Sequence, residues 1–338
     1  MDLNLIWFIL IGVLLTGYAI LDGFDLGVGA LHLFSKGDRE RRLMLNSIGP
    51  VWDGNEVWLV TGGGALFAAF PDVYATLASG FYLAVYLLLF SLIFRAVAIE
   101  FRSKQPMAWW RQSWDVAFCV SSILSAFLFG VVLGNLVWGI PIGSDKEFYG
   151  SFMGLLHPYA ILVGITVVAL CMMHGSIYVV MKTEGEFHDK ARGWVQNCII
   201  FFIICYFVTT MATLLFCPIM AQRIREFPLI FLVPVIKLLA IANVPREIYH
   251  GRDFMAFLSS CVAIIGLMFL FGFGIFPNMV YSNPDWANSL TIYNAASSQK
   301  TLSIMLIIAL FGMPIVLAYT ISIYWIFRGK VKINEMSY

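Results

Sequence analysis

Nine long apolar runs constrain this chain more than anything else in it. They fall at about residues 4–34, 48–69, 73–100, 114–138, 157–181, 194–217, 227–246, 253–276 and 301–327. A hydrocarbon core of about 30 Å needs about 20 apolar residues of helix to cross it. Barrel strands would be half that length and would alternate in polarity. The runs therefore predict an all-α, polytopic membrane protein with about nine transmembrane helices, and residues 1–338 form a single integral membrane domain. Composition agrees: 60% of residues are hydrophobic and 12% charged, against about half and about a quarter in soluble domains. The first and third runs are long enough to tilt or project. The seventh is interrupted by Pro228, Pro234 and Lys237.

The basic residues set the sidedness. Alternate connections carry Lys36, Arg39, Arg41 and Arg42, then Arg102, Lys104 and Arg111. Next come Lys182, Lys190 and Arg192, then Arg246 and Arg252, and finally Arg328, Lys330 and Lys332. The opposite connections hold only Lys146, Arg223, Arg225 and Lys300. Basic loops stay in the cytoplasm, so the N-terminus is expected outside and the C-terminus inside. The start, Met1-Asp2-Leu3-Asn4, has no positive n-region, which predicts that the first helix is retained. Aromatic residues such as Tyr74, Trp138, Tyr149 and Trp286 read as interfacial anchors. No basic aromatic module suggests nucleic acid. All six cysteines lie in or at the ends of apolar runs without a CxxC pair, and so read as buried small residues.

Carboxylates inside the runs are the anomaly. "AILDGFDLGVG" places Asp22 and Asp25 in the first run, and "WDGNEVW" places Asp53 and Glu56 in the second. Each pair is spaced i, i+3 and shares a helix face. With Glu100 at the end of the third run, all five fall in the cytoplasmic half of the membrane or at its edge. An ionised Asp at mid-bilayer costs about 2.5–3.5 kcal/mol on the mildest scale, so none of the four within the runs can face lipid as a bare anion. Each must be neutral, paired or beside water. Arg95, on the same run as Glu100, and Lys237 are candidate charge partners. Two readings stand: a polar cluster that locks helices together, and a proton or ion path from the cytoplasm. Glycines beside the acids, among them Gly23, Gly27, Gly29 and Gly54, permit close helix approach.

Longer strings carry a resemblance. "LDGFDLGVG", "NSIGPVWDGNEVWLVTGGGALFAAFPDVYATLASGFYLA" and "LIFRAVAIEFRSK" are similar to the second subunit of cytochrome bd-type quinol oxidases, as are "SLTIYNAASSQKTL" and "MPIVLAYT" near the C-terminal end. The resemblance covers nearly the whole chain and is densest over residues 12–104. It implies two four-helix bundles plus a peripheral helix, in a bacterial or archaeal cytoplasmic (inner) membrane. It also implies a homologous partner, subunit I, carrying the quinol-oxidising loop and haems of b and d type. Such a complex oxidises quinol and reduces O2 to water with protons drawn from the cytoplasm. The second subunit in most members binds no haem, supports assembly and contributes carboxylates to a proton route. A structural quinone and a small single-helix subunit are further partners that the resemblance allows. Asp25 matches the second acid of the family's "DGFD" stretch and Asp53 the acid of "WDGN". Glu100 stands where relatives often have Asp, and Glu56 where some have Gln. The resemblance thus implies a proton pathway drawn from Asp53, Asp25, Glu100, Asp22 and Glu56. No catalytic or metal-binding residue is assigned to this chain.

Of the five histidines, His188 and His250 fall in cytoplasmic loops, and His32 and His157 at helix ends. His174, within "CMMHG", is the one deep in a run. It reads as a bundle hydrogen-bonder rather than a haem ligand. Lys237 reads as snorkelling to the cytoplasmic face, or else as a counter-charge to the acids. A proton-coupled transporter and a purely structural scaffold are the competing functions. The first would place its site near the midplane on broken helices.

Overall fold

The computed structural model describes residues 2–333, apart from the side chains at 221 and 223–225. Met1 and the terminal Tyr338, on which the two expected termini rest, lie outside the described residues, as do the side chains of Arg223 and Arg225.

The chain runs through α1 (Leu3–Leu31), α2 (Gly37–Ile48), α3 (Trp52–Ala69), α4 (Pro71–Gly80), α5 (Tyr82–Phe101) and α6 (Ala108–Trp138). It continues through α7 (Phe152–Leu155), α8 (Pro158–Lys182), α9 (Glu186–Phe216), α10 (Pro218–Glu226), α11 (Leu232–Tyr249) and α12 (Asp253–Ile275). A short antiparallel pair, β1 (Asn278–Val280) and β2 (Leu290–Thr291), precedes α13 (Gln299–Ile326). Among the described residues the architecture is all-α but for this pair and two isolated bridges, Ile140 with Ser282 and Ile142 with Phe148. Among the described residues, eight helical segments are long and apolar enough to cross a membrane. Helices α3 and α4 meet the same criterion only as a pair, bent by 119° between them, which makes nine if the pair is one span.

The bend falls where one apolar run was expected to end and the next to begin; it is the break between α4 and α5 that corrects the expected third span. Residues 73–80 were assigned to one helix running to residue 100, but they belong to α4. Pro71 at the first position of α4 has no N–H to give to a continuing α3, and a proline at N1 starts a helix readily. Phe70, just before it, leaves helical geometry at φ −134° and ψ 67°. A second break at Phe81 separates α4 from α5. The other spans differ from expectation mainly in length: α9 begins eight residues before its apolar run at 194.

Helices α1, α3, α5 and α6 form one bundle, and α8, α9, α11 and α12 the other. The two meet where α1 and α6 pack on α8. Small residues make that seam close: a Cβ on Gly27 of α1 would stand 1.8 Å from the Cys171 carbonyl oxygen of α8. Helix α13 lies on the periphery, with Ile308, Phe311 and Ile315 exposed as lipid-facing side chains would be.

The basic residues that the sequence places on one side gather at one end. Arg102 and Arg111 reach Asp38, Lys190 reaches Glu40, and Lys182 binds the Gly329 carbonyl. At the opposite end Lys146 pairs with Asp72 and donates to the Asn294 carbonyl. There the segment around Ile140 docks on Tyr281 and Asn283 through main-chain hydrogen bonds.

Candidate functional site

The two acids of α1 are fully buried. Asp22 lies against Arg95 of α5, with Nη1 at 3.0 Å from Oδ2 and Nη2 at 2.5 Å from Oδ1. The same Nη2 donates to Glu56 Oε1 of α3 at 2.5 Å. Two carboxylates thus share one guanidinium across three helices. The bidentate fork is the geometry in which arginine binds a carboxylate most strongly. Glu56 keeps about a quarter of its side chain exposed, whereas Asp22 and Arg95 keep none.

Asp25, one turn nearer the basic end, is held differently. Its Oδ2 accepts from Asn55 Nδ2 of α3 at 2.7 Å. Asn55 also donates to the Leu21 carbonyl at 3.2 Å, and its Oδ1 accepts from the Tyr324 hydroxyl of α13 at 2.8 Å. Asp25 Oδ1 is buried and has no protein partner, and the same holds for the Tyr18 hydroxyl one turn before Asp22. Buried polar atoms without partners are costly. A water at Asp25 Oδ1 would remove that cost, and a proton there would remove the charge while leaving an O–H that still needs an acceptor.

Asp53, in the first turn of α3, is exposed at the surface near the basic end, one turn from Glu56. Glu100 is half-buried near the end of α5, five residues beyond Arg95. Lys237 corrects the expectation of a counter-charge, and also that of snorkelling. It is buried in the second bundle, hydrogen-bonded to the Tyr206 hydroxyl, with Nζ 4.3 Å from the centre of that ring. Its stem packs on Gly266. Helix α11 belongs to the second bundle, whereas the acids lie between α1, α3 and α5.

His174 has both ring nitrogens engaged, Nδ1 with Ser260 Oγ at 2.8 Å and Nε2 with the Ile20 carbonyl at 3.0 Å. Its ring stacks on Phe257. A haem iron would have to displace one of these bonds, so the residue does not fit an axial ligand. Among the described residues, no group of three His, Cys, Asp or Glu is arranged to hold a metal ion.

Three members of the polar structure were not singled out in the sequence. Asn55 and Tyr324 are two. The third is Asp115 of α6, fully buried, which gathers His32 at 2.5 Å, Arg102 at 2.6 Å and Arg41 at 2.7 Å. Asp115 is the one carboxylate in its apolar run, and that was the available signal. Asn55 was hidden by its acidic neighbours in "WDGNEVW". Tyr324 was hidden because a tyrosine near a helix end reads as an interfacial anchor.

Comparisons with known proteins show the family and the fold. The family model described as cytochrome bd terminal oxidase subunit II matches residues 3–327. The chain is 35% identical to cytochrome bd-I ubiquinol oxidase subunit 2 of Escherichia coli strain K12, over 99% of this chain and 96% of that one. It is also 35% identical to cytochrome bd ubiquinol oxidase subunit 2 of Bacillus subtilis, over 99% and 98%. The solved bd oxidase of Geobacillus thermodenitrificans has a chain of the same fold, with a TM-score of 0.80 at 16% identity, covering 97% of this chain and 98% of that one.

Proposed function

The chain belongs to the cytochrome bd terminal oxidase subunit II family, and from that premise we propose that it is the non-haem second subunit of a quinol-oxidising, O2-reducing membrane complex. Haems held by a larger partner, subunit I, would supply the electron transfer and the O2 chemistry. The part of this chain is to brace that partner and to pass protons toward it. The basic end faces the cytoplasm in this reading, as the retention of basic loops requires. A reporter active only in the cytoplasm and fused after Lys332 tests that orientation by its signal.

One observation carries the proton reading: Asp25 is buried with a carboxyl oxygen that no protein group satisfies, one turn from a fully paired acid. The five carboxylates accordingly divide. Asp22 and Glu56 are tied to Arg95 and act as a lock between α1, α3 and α5. Asp53, exposed near the basic end, takes protons from the cytoplasm, and Asp25 holds them deeper. Glu100 stands beside the same route at the end of α5. Carboxyl groups that can be protonated at tolerable cost are what a proton path through a dry region needs.

Replacing Asp25 or Asp53 by Asn keeps the shape and removes the titrating proton. Each variant should assemble with its haem spectrum intact and consume O2 more slowly with quinol as donor. Wild-type turnover in both assembled variants would overturn the relay. The purely structural reading predicts the opposite pattern: loss of assembly, with normal turnover in whatever complex remains.

A further inference from the structure

We propose that Tyr324 is a positioning residue for Asp25, acting through Asn55 from the otherwise peripheral helix α13. The hydroxyl of Tyr324 donates to Asn55 Oδ1 at 2.8 Å, and Asn55 Nδ2 donates to Asp25 Oδ2 at 2.7 Å. The second N–H of Asn55 goes to the Leu21 carbonyl at 3.2 Å. Carbonyl oxygens only accept, so this bond fixes which way the amide points. Both donors and the acceptor of Asn55 are thereby committed. Hydrogen bonds in series polarise one another, so donation from Tyr324 strengthens the bond that Asn55 makes to Asp25. The consequence for Asp25 is an assignment of its two oxygens: Oδ2 is held by the amide and Oδ1 is left for the exchangeable proton.

Packing alone does not account for Tyr324. Most of α13 presents apolar side chains outward, with Ile307, Leu310 and Ile321 all exposed. Tyr324 turns inward to reach a residue 269 positions earlier in the chain. The end of α13 is also clamped. Lys182 of α8 donates to the carbonyls of Phe327 and Gly329, and its own carbonyl accepts from the Val331 N–H at 2.8 Å. That clamp lies three to seven residues beyond Tyr324 and fixes how far α13 can slide or turn. Helix α13 therefore sets the geometry of the buried carboxyl while contributing no acid of its own.

The test uses the whole complex, purified with its haem-bearing partner. The infrared band that Asp25→Asn abolishes identifies the Asp25 carboxyl. In Tyr324→Phe, which keeps the ring and removes the hydroxyl, that band should move, and quinol-driven O2 consumption should fall by about three- to tenfold, as for the loss of one networked hydrogen bond. Asn55→Leu should move the band further. Tyr324→Phe added to Asn55→Leu should change nothing more, since both act on one path. Lys182→Met, which frees the end of α13, should reproduce the Tyr324→Phe band position. The effect on turnover rests on the relay reading, but the effect on the band does not. If Asp25→Asn turns over normally while Tyr324→Phe still moves the band, the relay fails and the positioning role stands. An unmoved band in assembled Tyr324→Phe overturns the positioning role. So does a Tyr324→Phe chain that fails to assemble, which would assign Tyr324 to helix docking instead.

Discussion

Asp22 and Arg95, 73 residues apart in sequence, form a bidentate ion pair between α1 and α5 in which neither side chain is exposed to any degree. Taking two charges out of water is expensive, and their attraction offsets that cost only with good geometry and further hydrogen bonds. Glu56 supplies one further bond to the guanidinium. The arrangement is brittle because each member depends on the others.

Arg95→Gln is expected to destabilise the subunit by about 3–5 kcal/mol, because Asp22 is left buried without its counter-charge. Asp22→Asn combined with Arg95→Gln should lose less than Arg95→Gln alone, since no lone charge remains. Thermal melting of the purified complex and its haem yield measure both. A double variant that is additively worse than the two singles would show that the pair is not coupled.

Glu56→Gln should be mild. The amide oxygen of Gln can still accept from Arg95 Nη2, and Asp22 remains to hold the guanidinium. Assembly and quinol-driven O2 consumption are expected near wild type, in contrast with Asp25→Asn. A strong loss of turnover with intact assembly would move Glu56 from the lock to the relay.

Asp115→Asn should act on stability and leave chemistry alone. The carboxylate gathers His32, Arg41 and Arg102 where the ends of α1 and α5 meet α2 and α6. An amide would turn N–H donors toward these groups and leave the buried Arg102 poorly matched, at a cost of about 3 kcal/mol or more. Less complex should accumulate, while turnover per assembled complex stays constant. A fall in turnover per complex would contradict this assignment.

A pH dependence is expected at the basic end. Partial burial raises the Glu40 carboxyl, but hydrogen bonds from Lys190 and from the Lys36 N–H outweigh it and hold the group below its ordinary value. A carboxyl lowered on folding contributes stability above its unfolded pKa and loses that contribution as pH falls through the folded one. Glu40→Gln should therefore cost at most about 1 kcal/mol at neutral pH, given the partial exposure of the pair. The deficit should vanish as the solution is acidified through the carboxylate range. Melting temperatures of the two proteins across that range provide the measurement, and a constant difference would refute the linkage.

The sequence by itself determined the membrane-spanning class, the position of the spans other than the third, and the grouping of basic residues at one end. Each of these is a transfer property of a short stretch, since an apolar run or a charged loop partitions in the same way whatever packs beside it. The presence of buried carboxylates was legible for the same reason. Their partners were decided only by the tertiary structure. Whether Arg95 or Lys237 meets Asp22 depends on how each helix is rotated about its axis and which bundle it joins, and those follow from packing at close crossings such as Gly27 against α8. The break at Phe81 also lay beyond composition, because residues 73–100 read as one continuous apolar run and only the structure divides them between α4 and α5. The link from Tyr324 through Asn55 to Asp25 joins the last helix to the first by way of the third. Its geometry depends on where those helices come to rest, which no local stretch of sequence encodes.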